Sequence, residues 1–421
     1  MQKAQAGSPW LWVPSLYFGQ AIPYVVVMFL SVVMYKSNGI SNGDIALYTS
    51  WLYLPWVIKP LWSPFVDMLR TKRWWIVSLQ LLIGATLALV ALSTRLPAFF
   101  QVSLAILWLM AFSSATHDIA ADGFYMLGLR QSQQAAYVGV RSTFYRIATI
   151  AGQGGLVALA GHLTDLTGDS RFAWSVVFFV LAAMFVALFA YHQWILPRPA
   201  ADLPVARGAN HAQDFFATFA SFFGRKDIFL VLGFLLTFRL GEAQLIKLVS
   251  PFLLDPVAKG GLGLSLQQVG FVYGTVGIIA LTLGGLLGGY LISRLGLKRC
   301  LWLMVCAVHL PDLVFVFLAT TQPQEMLLIA ACIVIEQFGY GFGFAAMMLY
   351  MIMVADGAYK TAHYAICTGL MALGMMVPGM VSGRIQEYLG YQHFFIWVCI
   401  ATIPAFLMAA LVKIDPQFGK K

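Results

Sequence analysis

Charge is scarce in this chain. Only 10% of its 421 residues are Asp, Glu, Lys or Arg, and only one long polar segment, Pro197 to Lys226, interrupts its apolar runs. That excludes an ordinary soluble domain, whose surface needs about a quarter charged residues. Cysteine is also sparse. Cys300, Cys306, Cys332, Cys367 and Cys399 lie in or beside apolar runs with no CxxC spacing, so neither a disulfide frame nor a zinc site is expected. There is no HExxH, no GxSxG and no P-loop. The expectation is therefore no enzyme, no metal, no cofactor, and no ATP-driven pump. Alternation over ten-residue strands is missing too, which argues against a β-barrel. The net charge of +9 suggests no nucleic-acid partner, because the basic residues gather at the ends of apolar runs.

What is present is hydrophobicity: 60% of residues are apolar and the mean hydropathy is +0.81. Runs of about 20 apolar residues can cross a bilayer as helices. The pattern predicts an all-α polytopic membrane protein with twelve spans, at 10–36, 43–69, 74–93, 99–129, 136–163, 171–196, 227–254, 265–293, 299–320, 324–355, 361–385 and 392–413. The first run has no A-x-A cleavage site and is kept as a span. The polar segment then becomes a cytoplasmic linker, 197–226, between two six-helix bundles, 1–196 and 227–421. Within it, Asp214 to Gly224 reads as a short amphipathic surface helix. Lys and Arg fix the orientation: with both termini cytoplasmic, sixteen fall inside and five outside.

The halves echo each other. Lys59-Pro-Leu-Trp-Ser-Pro-Phe-Val-Asp-Met-Leu-Arg-Thr-Lys-Arg73 is a basic hinge between apolar runs, and Gly289-Tyr-Leu-Ile-Ser-Arg-Leu-Gly-Leu-Lys-Arg299 repeats it 226 residues later, Lys298 standing for Lys72. Phe18-Gly-Gln-Ala21 matches Leu240-Gly-Glu-Ala243. Gly161-His-Leu-Thr-Asp-Leu-Thr-Gly168 matches Gly383-Arg-Ile-Gln-Glu-Tyr-Leu-Gly390. Three matches in order indicate a duplicated bundle.

These features resemble the major facilitator superfamily. The 289–299 loop resembles its signature motif; the first copy has Ser63 and Pro64 where glycine is usual but keeps the acid as Asp67. Lys59 to Asp67 resembles the Lys-x-Leu-Trp-x-Pro-x-x-Asp stretch of the AmpG muropeptide permeases and the related peptide/acetyl-CoA transporters. Ser114-Ala-Thr-His-Asp-Ile-Ala-Ala-Asp122 resembles the same family's Ser-Ala-Thr-Gln-Asp-Ile-x-x-Asp, with His117 replacing glutamine. The resemblance implies uptake of amino-sugar cell-wall products, with or without a peptide, across the bacterial cytoplasmic membrane, driven by protons and performed by a monomer in the lipid bilayer. It also implies that spans 1, 4, 7 and 10 line the cavity. Export of a small amphipathic molecule, transport of an acetyl-CoA-like substrate, and a non-transporting receptor are the alternatives.

Charges inside the spans carry the site. Each costs about 2.5–3.5 kcal/mol at mid-bilayer, so it should face the bundle interior. Asp118, Asp122, Glu242 and Glu336 are the proton-coupling candidates, each weighed against a structural ion pair; Asp122 with Arg141 also reads as an inner gate. Tyr17, Gln20, Tyr24, His117, Arg146, Arg239, Lys247 and Tyr340 are the substrate-binding candidates. Arg239 is the best placed for a ligand carboxylate, unless Glu242 neutralises it. His117 reads equally as a structural histidine, and His309 and Asp312, flanking Pro311, as polar packing at a kink. Asp67, Arg70, Arg73, Arg141, Arg294 and Arg299 are expected to act in conformational change. Breaks are expected at Pro14 and Pro23, around Gly241 and at Pro378.

Overall fold

The computed structural model describes residues 8–204, 211–355 and 360–419, leaving out the side chains of 64, 67, 68, 131, 132, 134–136, 138, 211–215, 218 and 360–362. Among the described residues there are helices and no strands. That is the expected outcome where hydrocarbon offers the backbone no hydrogen-bond partner. In chain order they are α1 (Pro9–Ser37), α2 (Asn42–Trp51), α3 (Leu54–Leu69), α4 (Lys72–Ser93), α5 (Phe99–Gly128), α6 (Gly139–Thr167, its first turns reaching back to Gln131), α7 (Ser170–Ile195), α8 (His211–Phe223), α9 (Ile228–Leu254), α10 (Leu266–Leu295), α11 (Leu297–Thr321), α12 (Met326–Val354), α13 (Lys360–Ala401) and α14 (Ile403–Leu411).

Ten stretches are long and apolar enough to cross a membrane among the described residues: α1, α4, α5, α6, α7, α9, α10, α11, α12, and the run His363–Leu411. The expected span at 43–69 is divided, since two turn residues, Leu52 and Tyr53, separate α2 from α3. The 49-residue run holds two expected spans and bends at Gly390, whose φ of 73° and ψ of 166° are open to glycine and strained for other residues. Pro378 lies inside continuous helix, so the backbone breaks at Gly390 instead. In α9 the helix interrupts at Phe238 and Arg239 and restarts at Leu240, next to Gly241. In α1 a 3-10 turn, Pro9–Leu11, precedes the α-helical part, which starts at Val13 with Pro14 in its first turn; Pro23 lies inside that continuous helix, which passes into a π-helical stretch at Val26–Leu30.

The described residues cluster into two compact units, one of residues 1–38 and 61–209, the other of 39–60 and 210–421. In the first unit, Trp12, Val13, Leu16 and Tyr17 of α1 pack with Ile76 of α4 and Ala120, Ala121 and Phe124 of α5. The Asp202 carboxylate, from the segment after α7, accepts the Lys72 and Arg73 backbone N–H groups at 2.7 and 3.0 Å and caps α4.

In the second unit, Phe222 of α8 packs with Phe234 and Phe238 of α9, Met304 of α11 and Tyr350 of α12. The α8 Ser221 hydroxyl meets His363 Nε2 at 2.8 Å, so this helix is docked on α13. At the entry to α9, Arg225 pairs with Asp227 at 3.1 Å, and its hydrogen bonds hold that carboxyl below the usual range. Glycines let α10 and α12 touch backbone to backbone: a Cβ on Gly341 would lie 2.0 Å from the Leu281 carbonyl oxygen, and one on Gly284 2.1 Å from that of Phe338. Gly296 ends α10 with φ of 85°, which explains the glycine of the 289–299 loop. Residues 39–60 belong here because α2 crosses α13 closely; a Cβ on Gly383 would lie 2.0 Å from the Asn42 carbonyl oxygen.

Candidate functional site

In the first unit the polar residues form two groups. Asp122 of α5 pairs with Arg141 of α6 at 2.9 Å and accepts a hydrogen bond from the Tyr17 hydroxyl at 3.3 Å. The Arg141 guanidinium lies over the Tyr17 ring at 4.4 Å and near that of Tyr125 at 5.7 Å. Three helices are thus tied by one charge pair, with the arginine and aspartate side chains 34% and 39% exposed. The second group is a buried chain across four helices. The Ser15 hydroxyl meets His192 Nε2 at 2.9 Å, His192 Nδ1 meets Gln80 Oε1 at 2.9 Å, and Gln80 Nε2 meets His117 Nε2 at 3.3 Å. His117 is therefore held by helix-to-helix hydrogen bonds. Gln80 and His192 are absent from the sequence expectations; they are polar residues in otherwise apolar runs, and the rule applied to charges would have found them.

The other expected residues of this unit fall around these groups. Gln20 is buried and its side-chain oxygen has no hydrogen-bond partner among the described residues. Tyr24 and Asp118 are half-buried and interact electrostatically with Tyr145, as does Arg146, which is exposed. Arg73 donates to the Leu196 carbonyl oxygen at 3.3 Å and to that of Gln193, while Arg70 lies over the Trp74 ring at 5.6 Å. The Asp67 side chain lies outside the described residues.

In the second unit Arg239 sits at the break in α9, where its Nη2 donates to the Tyr340 hydroxyl of α12. Its guanidinium lies 5.2 Å from the Tyr340 ring centre and 5.1 Å from that of Phe344. Glu242, one turn on, is fully buried, and neither carboxylate oxygen has a hydrogen-bond partner among the described residues. Arg239 thus turns to the aromatic pair and does not hydrogen-bond Glu242. Glu336 is 1% exposed and accepts from Gln337 Nε2 at 2.9 Å. Lys247 is 3% exposed; its Nζ donates to Thr49 Oγ1 at 3.0 Å and lies 5.2 Å from the Tyr53 ring centre. Arg294 lies over Tyr290 at 5.3 Å, and Arg299 is exposed.

A further cluster joins α2, α9 and α13 and was not expected from sequence. Asp255 accepts from the Tyr391 hydroxyl at 2.6 Å, the Asn42 amide donates to Gln386 at 2.7 Å and to Tyr391 at 2.9 Å, and Glu387 accepts the Gly43 backbone N–H at 2.7 Å. Its members are up to 349 residues apart, and nothing in their local sequence links them. No group of three potential metal ligands is found among the described residues.

Ten long apolar stretches among the described residues, several of them carrying buried charged side chains, define a polytopic membrane protein. The comparisons agree. The family model of the Major Facilitator Superfamily matches residues 15–361, and the chain belongs to that superfamily. It is 24% identical over 364 residues to the anhydromuropeptide permease of Escherichia coli K12, covering 85% of this chain and 70% of the permease. It is 27% identical over 401 residues to putative transporter AmpG 4 of Rickettsia conorii, covering 91% of each. In fold it is similar to the nucleoside transporter NupG, with a TM-score of 0.71 at 17% identity over 96% of this chain and 98% of that one. It is also similar to a D-xylose–proton symporter, with a TM-score of 0.68 at 12% identity over 95% and 96%.

Proposed function

We propose that this protein imports anhydromuropeptides or related amino-sugar cell-wall products into the bacterial cytoplasm, coupled to protons, by alternating access. The twelve-span arrangement follows if α2 with α3 counts as one crossing and the run bent at Gly390 as two. The halves are then 1–196 and 227–421, joined by the 197–226 linker, with both termini cytoplasmic and the monomer as the working unit. The AmpG-named relatives support the substrate class.

One observation carries the coupling: Glu242 is wholly buried with no donor on either oxygen among the described residues. An ionised carboxylate so placed is far more costly than the neutral acid, so a proton is its natural partner. Glu336 supports the same role in α12 and Asp118 in α5, while Asp122, paired with Arg141, acts as the inner gate. Arg239, backed by the Tyr340 and Phe344 rings, suits a ligand carboxylate. Lys247 and Arg146 add positive charge, and Tyr17, Gln20 and Tyr24 offer the ring faces and hydrogen-bonding groups that sugars take, while His117, held in the buried hydrogen-bond chain, is structural. Arg70, Arg73, Arg141, Arg294 and Arg299, with Asp67, serve the conformational change.

The test is uptake by proteoliposomes holding the full chain, with labelled N-acetylglucosaminyl-anhydro-N-acetylmuramic acid and labelled acetyl-CoA in parallel. Accumulation of the sugar under an inward proton gradient, abolished when pH gradient and potential are dissipated, is expected. Accumulation of acetyl-CoA alone, or accumulation of the sugar that needs sodium and no proton gradient, overturns the reading.

A further inference from the structure

The break in α11 is built from Leu310, Pro311 and Asp312, and the sequence suggests that its polar residues merely pack there. Their surroundings say otherwise. Proline leaves the carbonyl four residues earlier without its helical donor, and a short polar side chain near such a break can hydrogen-bond a neighbouring backbone group. Asp312 does not: it is 1% exposed, and neither oxygen accepts a hydrogen bond among the described residues. His309, 2% exposed, likewise has no hydrogen-bond partner among them on either ring nitrogen, and its ring lies against those of Phe238 and Phe406 at 5.7 and 5.6 Å.

The break is also pressed against the helices that carry the two buried glutamates. A Cβ on Gly339 would lie 2.2 Å from the Ala307 carbonyl oxygen and 2.9 Å from Pro311 Cγ, so α12 meets the break directly, one turn from Glu336. Phe238, which touches His309, lies one turn before Glu242. Asp312 interacts electrostatically with both Glu242 and Glu336, and those two interact with each other. The other titratable groups facing this cluster are Arg239 beside Glu242, Tyr273 of α10 beside both glutamates, Tyr340 beside Tyr273, and Cys399 of α13 beside Asp312.

We propose that Asp312, Glu242 and Glu336 form one proton-sharing carboxyl cluster inside the second unit, and that Asp312 binds a transported proton. Three buried carboxyls that receive a single hydrogen bond from the described residues, that of Gln337 to Glu336, cannot all be anions in a medium of low dielectric constant. Buried carboxyls that interact with one another gain and lose protons as a group, so a proton at Glu242 exchanges with Asp312. The break gives Asp312 its position: it shares a turn with Pro311, against which α12 packs at Gly339, and follows His309, whose ring meets Phe238 of α9. This deepens the proton-coupled reading above and rests on it for the transport role.

The deciding measurement needs no substrate. Infrared difference spectra between acid and alkaline pH are recorded on the purified full chain in nanodiscs, for the wild type and for Asp312→Asn and Asp312→Ser. The wild type is expected to show titrating carboxylic-acid bands. Whichever variant purifies as monodisperse protein should lose one band, and the midpoint of those that remain should move by on the order of one pH unit. Unchanged bands and midpoints overturn the proposal. Wild-type protein carrying carbon-13 aspartate must show an isotope-shifted acid band, and its absence overturns the proposal without any substitution. Displacement of the bands by sodium at fixed pH overturns it in favour of a sodium site. In proteoliposomes the same variants should keep counterflow of the labelled sugar and lose its accumulation. If the wild type moves no such sugar, the import reading fails while the spectra still decide the cluster.

Discussion

The α10–α12 contact allows a prediction with an internal control. Four glycines on α10 fall on two faces. A methyl group on Gly284 or Gly288 would lie 2.1 or 2.3 Å from a carbonyl oxygen of α12, those of Phe338 and Phe342. A methyl on Gly289 would meet nothing within 4 Å, and one on Gly285 would make an ordinary contact at 3.6 Å. Non-bonded carbon contacts settle at about 3.5–4.0 Å, so Gly284→Ala must push the helices apart by about 1 Å or more. The neighbours are backbone atoms in continuous helix and cannot swing aside. Overpacking of this kind costs about 1–3 kcal/mol. Alanine also gains about 0.5–1 kcal/mol over glycine in a helix, but that gain is common to both variants and cancels in the comparison. Gly289→Ala should therefore unfold at or above the wild-type temperature, and Gly284→Ala should fall below it by an amount worth about 1–3 kcal/mol. The buried thiols of Cys300, Cys332 and Cys367 supply the signal: a thiol-reactive dye added to detergent-purified protein reports unfolding on heating. Equal melting of Gly284→Ala and Gly289→Ala would refute the backbone contact between α10 and α12.

Three further outcomes are expected. Arg141→Ala should change stability by less than about 1 kcal/mol, because a half-exposed pair is well screened, yet it should abolish uptake; dye-monitored melting and vesicle uptake check the two halves of that statement, and full uptake would remove the pair from the mechanism. Asp202→Ala removes the cap on the first two N–H groups of α4 and should cost about 1 kcal/mol, read as a lower melting temperature, with no loss if the cap is idle. Arg239→Lys should weaken uptake of the carboxylated sugar far more than that of its neutral lactyl-amide analogue, since lysine cannot hold a carboxylate through two parallel hydrogen bonds. Equal loss for both ligands would make the arginine a structural partner of Tyr340.

Much of this protein was legible in the chain itself. Membrane spans need only length and apolarity, both local properties, so the helical class and most of the crossings followed from composition. Scarcity of charge made each buried charge conspicuous, which singled out Glu242, Glu336, Arg239, Lys247 and the Asp122–Arg141 pair from the chain alone. The Gly296 turn was visible as a motif because a positive φ demands glycine at one position whatever surrounds it. Which polar groups meet was not legible, because hydrogen bonds between helices join residues with no local relation. The Ser15–His192–Gln80–His117 chain spans 177 residues, and Asn42 meets Tyr391 across 349. The orientation of Arg239 toward Tyr340, 101 residues away, was likewise decided by packing, since its close neighbour Glu242 was the nearer partner in sequence. Asp312 makes the same point. A proline and an acid in a row predict a kink, but only the approach of α9 and α12 buries that acid beside two others, with no hydrogen bond to it from the described residues.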